Sequence, residues 1–290
     1  MDDNLKRYSL PSIPKEYNAY ISYSGFRIDE AKSAMQKCIR RSNIEAIQWG
    51  LEMYWSFKAN RTCAWNRLFI IAVEDIGPAH PYALIHLQKL RTNDNEENFV
   101  RAIQLLVNSK KTRVSDWCLH IPIPKLEGEI EDLIQSCIAY KEEGNFSCSL
   151  YCLVNITKHK VILHLFNFYK LVFPTNAYTK EILRILQKWN KVDLYILTIA
   201  TLFHLWFFNC LPTNIPDELE KLNVMDIVES YQGRRNLVGI PDIAVDKHTE
   251  KGRRMKRGFS HFLKVGGLLT NVDPVWEELD SHYVSEIHVK

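Results

Sequence analysis

Between Leu194 and Leu211 the chain reads LYILTIATLFHLWFFNCL, eighteen residues without a lysine, arginine, aspartate or glutamate. A run of that character has two physical homes, a bilayer or the centre of a helical protein. Asp193 stands at its start, and Thr198, Thr201, His204 and Asn209 interrupt it. A lone membrane span would have to find a partner for the central His204. The run is therefore read as a core helix buried on all sides, and no membrane partner is expected.

A helix of that kind needs other helices to cover it, and the rest of the chain supplies the pattern. Apolar residues recur at three- and four-residue steps from Asp29 to about Arg41 (Ala31, Ala34, Met35, Cys38), with Asp29 as the expected cap. Asn43 is the expected cap of the next helix, carrying Ile44, Ile47, Leu51, Tyr54 and Trp55. A third runs from Thr62 to Asp75 and stops at Gly77-Pro78, and Pro81 opens a fourth through about Leu90. Further helices are expected at 96–109, 128–142, 146–172, 177–189, 217–231, 249–264 and 273–287, with an ordered loop at 232–245. Strand signals are short and flanked by helix formers. The expected fold class is all-α, with packed antiparallel helices. Three parts are expected: an irregular aromatic arm over 1–28 (Tyr17, Tyr20, Tyr23, Phe26), a helical domain over 29–232, and a basic loop with C-terminal helices packed on it over 233–290.

With 46% apolar and 24% charged residues the chain lies outside the disordered class. Its start, Met1 to Arg7, lacks the apolar stretch of a secretory signal. The seven cysteines form an odd set without paired spacing, as expected for free thiols in a reducing interior. Cytoplasm or nucleus is the expected setting, or a virion if the chain is viral. Cys148, Cys152, His159 and His164 could be drawn as a zinc site, but Cys-x₃-Cys among apolar neighbours suits a helix face better. No metal and no cofactor are expected. Gly-x₄-Gly-Lys-Ser/Thr, Gly-x-Gly-x-x-Gly, His-Glu-x-x-His and Gly-x-Ser-x-Gly are all missing. No residue is assigned a catalytic role on sequence, and Glu74-Asp75 is read as a structural turn facing backbone or an arginine such as Arg67.

Charge is where the sequence departs from an ordinary helical protein. From Gly233 to Lys264 nine basic residues face three acidic ones, a local +6 against +3 for the whole chain. Such a stripe is the footprint of a phosphate-binding surface. The candidate nucleic-acid contacts are Arg253, Arg254, Lys256 and Arg257, then Arg234, Arg235 and Lys251. Asp246, His248 and Thr249 stand at the entrance to this segment. They are read as residues that structure the loop, Thr249 or Asp246 capping the following helix, or alternatively as an acid/base pair of a nucleic-acid-processing enzyme, with His261 nearby.

Two stretches carry a resemblance: Ala34 to Trp49, with its Ile-Arg-Arg-Ser turn and Ala46-x-x-Trp49, and Trp65 to Pro81, with Arg67-Leu68 and Glu74-Asp75-Ile76-Gly77-Pro78-Ala79-His80-Pro81. Together they resemble the region that follows the ATPase module in the MgsA/RarA family, which includes the Werner-helicase-interacting ATPases and is related to clamp loaders. Val73 replaces the family's small polar residue and Pro78 its leucine. The likeness covers about 50 residues, and the turn at Glu74, Asp75, Gly77 and Pro81 is its most specific part. It implies a clamp-loader-collar-like helical domain that oligomerises, beside DNA replication and repair. The family's ATPase module has no counterpart in these residues, so ATP-driven activity is not implied. The expected function is that of a non-enzymatic accessory protein, of viral or phage type, that self-associates or docks on replication proteins and binds nucleic acid. A structural subunit of a viral assembly is the other alternative.

Overall fold

The computed structural model describes residues 21–22, 24–56, 58–216 and 239–288. Among them the fold is all-α. The only pairings of extended backbone are two isolated bridges, Ile21 with Arg27 and Lys111 with Val272. In chain order the helices are α1 (Ile28–Arg40), α2 (Ala46–Ser56), α3 (Lys58–Ile71), α4 (Ala83–Thr92), α5 (Glu96–Asn108), α6 (Val114–Trp117), α7 (Ile130–Glu142), α8 (Phe146–Lys158), α9 (Ile162–Val172), α10 (Ala177–Trp189), α11 (Val192–Phe207), α12 (Glu250–Arg254), α13 (Phe259–His261) and α14 (Glu277–His288). The helix expected at 217–231 and the tyrosines at 17, 20 and 23 lie outside the described residues.

Two expected helices are broken, and both breaks follow from left-handed backbone at a residue other than glycine. The span 146–172 divides into α8 and α9 where Lys160 takes φ 52°. The span 249–264 divides into α12, α13 and a wide turn over Phe262–Gly266, with Lys256 at φ 55°. Asp29 is a second correction: it lies inside the first turn of α1, and Arg27 occupies the cap position. Asn43 does accept from a backbone N–H, that of Glu45, at 2.9 Å. Asn95 and Asn176 cap α5 and α10 through their side chains.

The chain forms two compact units, each discontinuous in sequence: 1–68, 89–109 and 220–271, and 69–88, 110–219 and 272–290.

In the first unit α1 and α2 pack on each other and both meet α5. Ala31, Ala34, Met35 and Cys38 of α1, Trp49 and Met53 of α2, and Phe99 and Ile103 of α5 are buried. Tyr54 stacks on Phe99 at 4.8 Å, and Trp65 meets the same ring edge-on at 5.1 Å. Both aromatic polar tips reach Asp94, Trp65 Nε1 at 2.8 Å and Tyr54 Oη at 3.2 Å, which lets the rings be buried without an orphaned donor. Of the aromatic arm, Phe26 packs edge-on against Trp49 at 5.2 Å. Buried Glu52 holds the adjoining turn by accepting from the hydroxyls of Ser22 (2.7 Å) and Ser24 (2.9 Å).

The second unit is built on α11, buried from Leu194 to Leu205 and packed against α6, α8, α9 and the turns at 72–79. His204 resolves the problem the sequence posed. Its Nδ1 donates to the Ala200 carbonyl at 2.7 Å, and its Nε2 accepts from Tyr283 Oη at 3.0 Å. Burial pushes its pKa down to about 4, the Ala200 hydrogen bond opposing, so it is neutral at pH 7. No helix among the described residues is long and apolar enough to cross a membrane.

Candidate nucleic-acid interface

The basic segment is held on α1 by an ion pair with no exposure. Asp246 is completely buried, and its Oδ2 lies 2.6 Å from Nζ of Lys37, itself buried. Lys37 also donates to Ser33 Oγ at 2.8 Å, and Ser33 donates to the Ala244 carbonyl at 2.7 Å. The other Asp246 oxygen accepts the His248 backbone N–H at 2.9 Å and faces His248 Nδ1 at 3.2 Å. Burial alone would raise the pKa of this carboxyl. The His248 hydrogen bonds and the Lys37 charge overcome it and hold Asp246 well below the usual carboxylate range. At neutral pH it is an anion with a fixed role.

The chain closes tightly round that anion. A Cβ on Gly252 would stand 1.9 Å from the Asp246 carbonyl oxygen, and one on Gly266 would stand 2.6 Å from its Oδ2. Glycine at 252 is thus required by close approach, although it sits inside a helix. Thr249 caps α12, its Oγ1 accepting from the Gly252 N–H at 3.1 Å, as its place before the helix suggested. Further along, Arg41 donates to the Val265 carbonyl at 2.6 Å and Arg40 donates to that of Gly266. The buried Phe262 ring lies beneath Lys37 (5.8 Å) and Arg40 (5.5 Å), with His248 edge-on at 5.0 Å.

These interactions decide what charge remains outside. All three acids of the segment are paired: Asp246 with Lys37, Asp242 with Arg257 at 2.8 Å, and Glu250 with Arg27 at 3.1 Å and with Arg254. Two of those partners, Lys37 and Arg27, come from outside the segment. Lys251, Arg253, Arg254 and Lys256 are exposed within one short stretch, and Lys264 is exposed nearby. Arg257 is the exception among the expected phosphate ligands. It turns inward and donates to the carbonyls of Val245 (2.9 Å) and Asp242 (3.2 Å), so it shapes the loop. Arg234 and Arg235 lie outside the described residues. Sequence reasoning missed Lys37, Gly252 and Gly266 as the surroundings of Asp246. A glycine six residues after an aspartate, inside a helix, was the one available signal.

The turn singled out at Glu74, Asp75, Gly77 and Pro81 belongs to the second unit. There Glu74 and Asp75 face Arg113, at 2.9 Å and 3.1 Å, and the same guanidinium pairs with Asp116. Arg67 is not their partner, as the sequence had suggested; it donates to Gln36 at 3.2 Å. Gly77 has φ 48°, a backbone few side chains adopt, and Tyr178 Oη donates to the Pro81 carbonyl at 2.9 Å. Burial raises the Asp280 carboxyl to about 6, even though Thr112 Oγ1 (2.6 Å) and the Arg113 N–H (2.9 Å) donate to it. Of the cysteine–histidine set, Cys152 is buried on α8 and the His159 and His164 rings meet at 5.9 Å. Among the described residues no group of three or more His, Cys, Asp or Glu side chains is placed to hold a metal ion.

No known protein family matches this chain, and no characterised protein or solved structure is detectably similar to it.

Proposed function

We propose that this protein is a non-enzymatic nucleic-acid-binding accessory protein whose binding surface is the segment around α12. The observation that carries the reading is the exposure of Lys251, Arg253 and Lys256, with Arg254 exposed and shared with Glu250, while the segment's acids are occupied by cations. A polyanion approaching this stretch meets exposed donors, and the segment's own carboxylates are already neutralised. The likeness of residues 34–81 to the MgsA/RarA region supports a collar-like helical body that self-associates or docks on replication and repair proteins.

The alternative, an enzyme working through Asp246 and His248, draws on the buried carboxylate that faces His248 Nδ1 and the 52% exposed imidazole side chain. The accessory reading is favoured because Asp246 is committed to Lys37 and the loop backbone.

Replacing Lys251, Arg253, Arg254 and Lys256 together by alanine tests the proposal. Binding of a short labelled duplex or single strand is expected to weaken. The slope of log K against log salt should flatten by roughly 0.7–0.9 for each phosphate that is no longer neutralised. An unchanged affinity and slope would remove the reading.

A further inference from the structure

Among these cations stand two apolar side chains, Met255 at 50% and Phe259 at 37% exposure. Phe259 does not stand alone. The Lys247 ammonium lies 4.3 Å from its ring centroid and 5.1 Å from that of Phe262, and the two rings are 6.2 Å apart at 30°. Phe262 is buried and fixed by α1 and His248, so it supports its exposed neighbour from within. The chain between Lys251 and Phe259 therefore carries four exposed cations, Lys251, Arg253, Arg254 and Lys256, followed three residues on by a partly exposed aromatic ring whose own neighbour is a cation.

Cations alone serve the phosphates of any nucleic acid. An exposed aromatic ring beside them offers something only an unpaired base can use, because a duplex keeps its base faces inside the stack. We propose that the surface binds single-stranded nucleic acid, with one base stacked on Phe259 and the adjoining phosphates on Lys251, Arg253 and Lys256. Lys247 lies over one face of that ring, so the base takes the face opposite the ammonium. This assignment rests on the nucleic-acid reading above and names its substrate class.

The test is fluorescence anisotropy of the full chain with a labelled 20-nucleotide DNA strand, the same strand in RNA and the blunt DNA duplex. Phe259→Leu, Phe259→Trp and the four-alanine charge variant are compared with the parent. Phe259→Leu keeps apolar bulk at an exposed site, and an unchanged urea midpoint verifies its fold. It is expected to bind the single strands about 10-fold more weakly, within the range for removing one base stack, with duplex affinity unchanged. Phe259→Trp should retain single-strand binding. Tighter binding of the DNA or of the RNA strand identifies the sugar. If Phe259→Leu binds single strands like the parent while the charge variant loses affinity, stacking is refuted and the cationic reading stands. If the charge variant also binds like the parent, or the parent binds none of the three probes, both fall.

Discussion

The two units each bury an arginine or lysine among carboxylates, yet they do so with different stoichiometry. In the first, one ammonium, Lys37, meets one carboxylate, Asp246, whose second oxygen is taken up by His248. In the second, the Arg113 guanidinium is shared by Glu74, Asp75 and Asp116, and lies over the Trp117 ring at 4.0 Å. Asp280 stands at the same cluster, where a hydroxyl, a backbone N–H and the Arg113 charge together do not offset its burial. The outcome is that two buried aspartates move in opposite directions, Asp246 below its ordinary value and Asp280 up to about 6. Burial pushes both upward; for Asp246 the His248 hydrogen bonds and the Lys37 charge outweigh it, whereas for Asp280 two hydrogen bonds and the shared Arg113 charge do not.

Removing the shared cation should have the largest effect. Arg113→Met leaves three carboxylates without a guanidinium and is expected to cost toward the upper end of about 3–5 kcal/mol, the range for breaking a buried pair. A urea denaturation series measures it. Hydrogen exchange should quicken first at 72–79 and 110–118. A destabilisation below about 1 kcal/mol would mean that the cluster is not anchored by Arg113.

Asp246→Ala strands a buried ammonium and should cost about 3 kcal/mol, with the loss of exchange protection concentrated in 239–268. Equal loss of protection in both units would erase the distinction between the two clusters. Because Asp246 links Lys37 to the loop that carries the exposed cations, the variant should also weaken the proposed nucleic-acid binding without removing a surface charge.

The smallest effect is the dependence on pH. Asp280 has a raised native pKa, so its protonation stabilises the fold fully below about pH 4, and that contribution is lost as pH rises through 6. From 3.8 to about 6, at about 1.4 kcal/mol per unit, the loss is at most about 3 kcal/mol. Asp246 has the opposite sign. Its contribution is complete above its ordinary value and fades only as pH falls below it, so it is silent in this window. Buried His204, its pKa lowered to about 4, contributes a rise in stability over the same window. Asp280→Asn should therefore make stability rise more steeply between pH 4 and 7 than in the parent, read from urea midpoints at each pH. An identical profile in the variant would remove Asp280 from the pH dependence.

Legibility in the sequence followed the range of the interaction. The sequence pattern located α1 to α5, α7, α10 and α14 within a few residues, because a helix face is written at three- and four-residue spacing, and α11 through its unbroken apolar run. The breaks at Lys160 and Lys256 carried no such mark, since left-handed backbone at a lysine follows no residue pattern of the kind glycine supplies. The same limit separated the two site readings. Thr249 as a cap was readable from its neighbours, whereas for Glu74 and Asp75 the sequence offered backbone or an arginine such as Arg67, and the arginine that folds against them is Arg113.

What the amino-acid order determined unaided was an all-α chain with one wholly buried helix and a cationic stretch near its carboxyl end. Those properties depend on composition and on interactions within a turn or two. Tertiary structure decided which charges stay outside. It paired Asp246 with Lys37 and Glu250 with Arg27, turned Arg257 inward, and left Lys251, Arg253, Arg254 and Lys256 exposed. Whether a charge is paired depends on the side chain that folding brings within about 4 Å of it, and that distance is set by helices remote from one another in the chain.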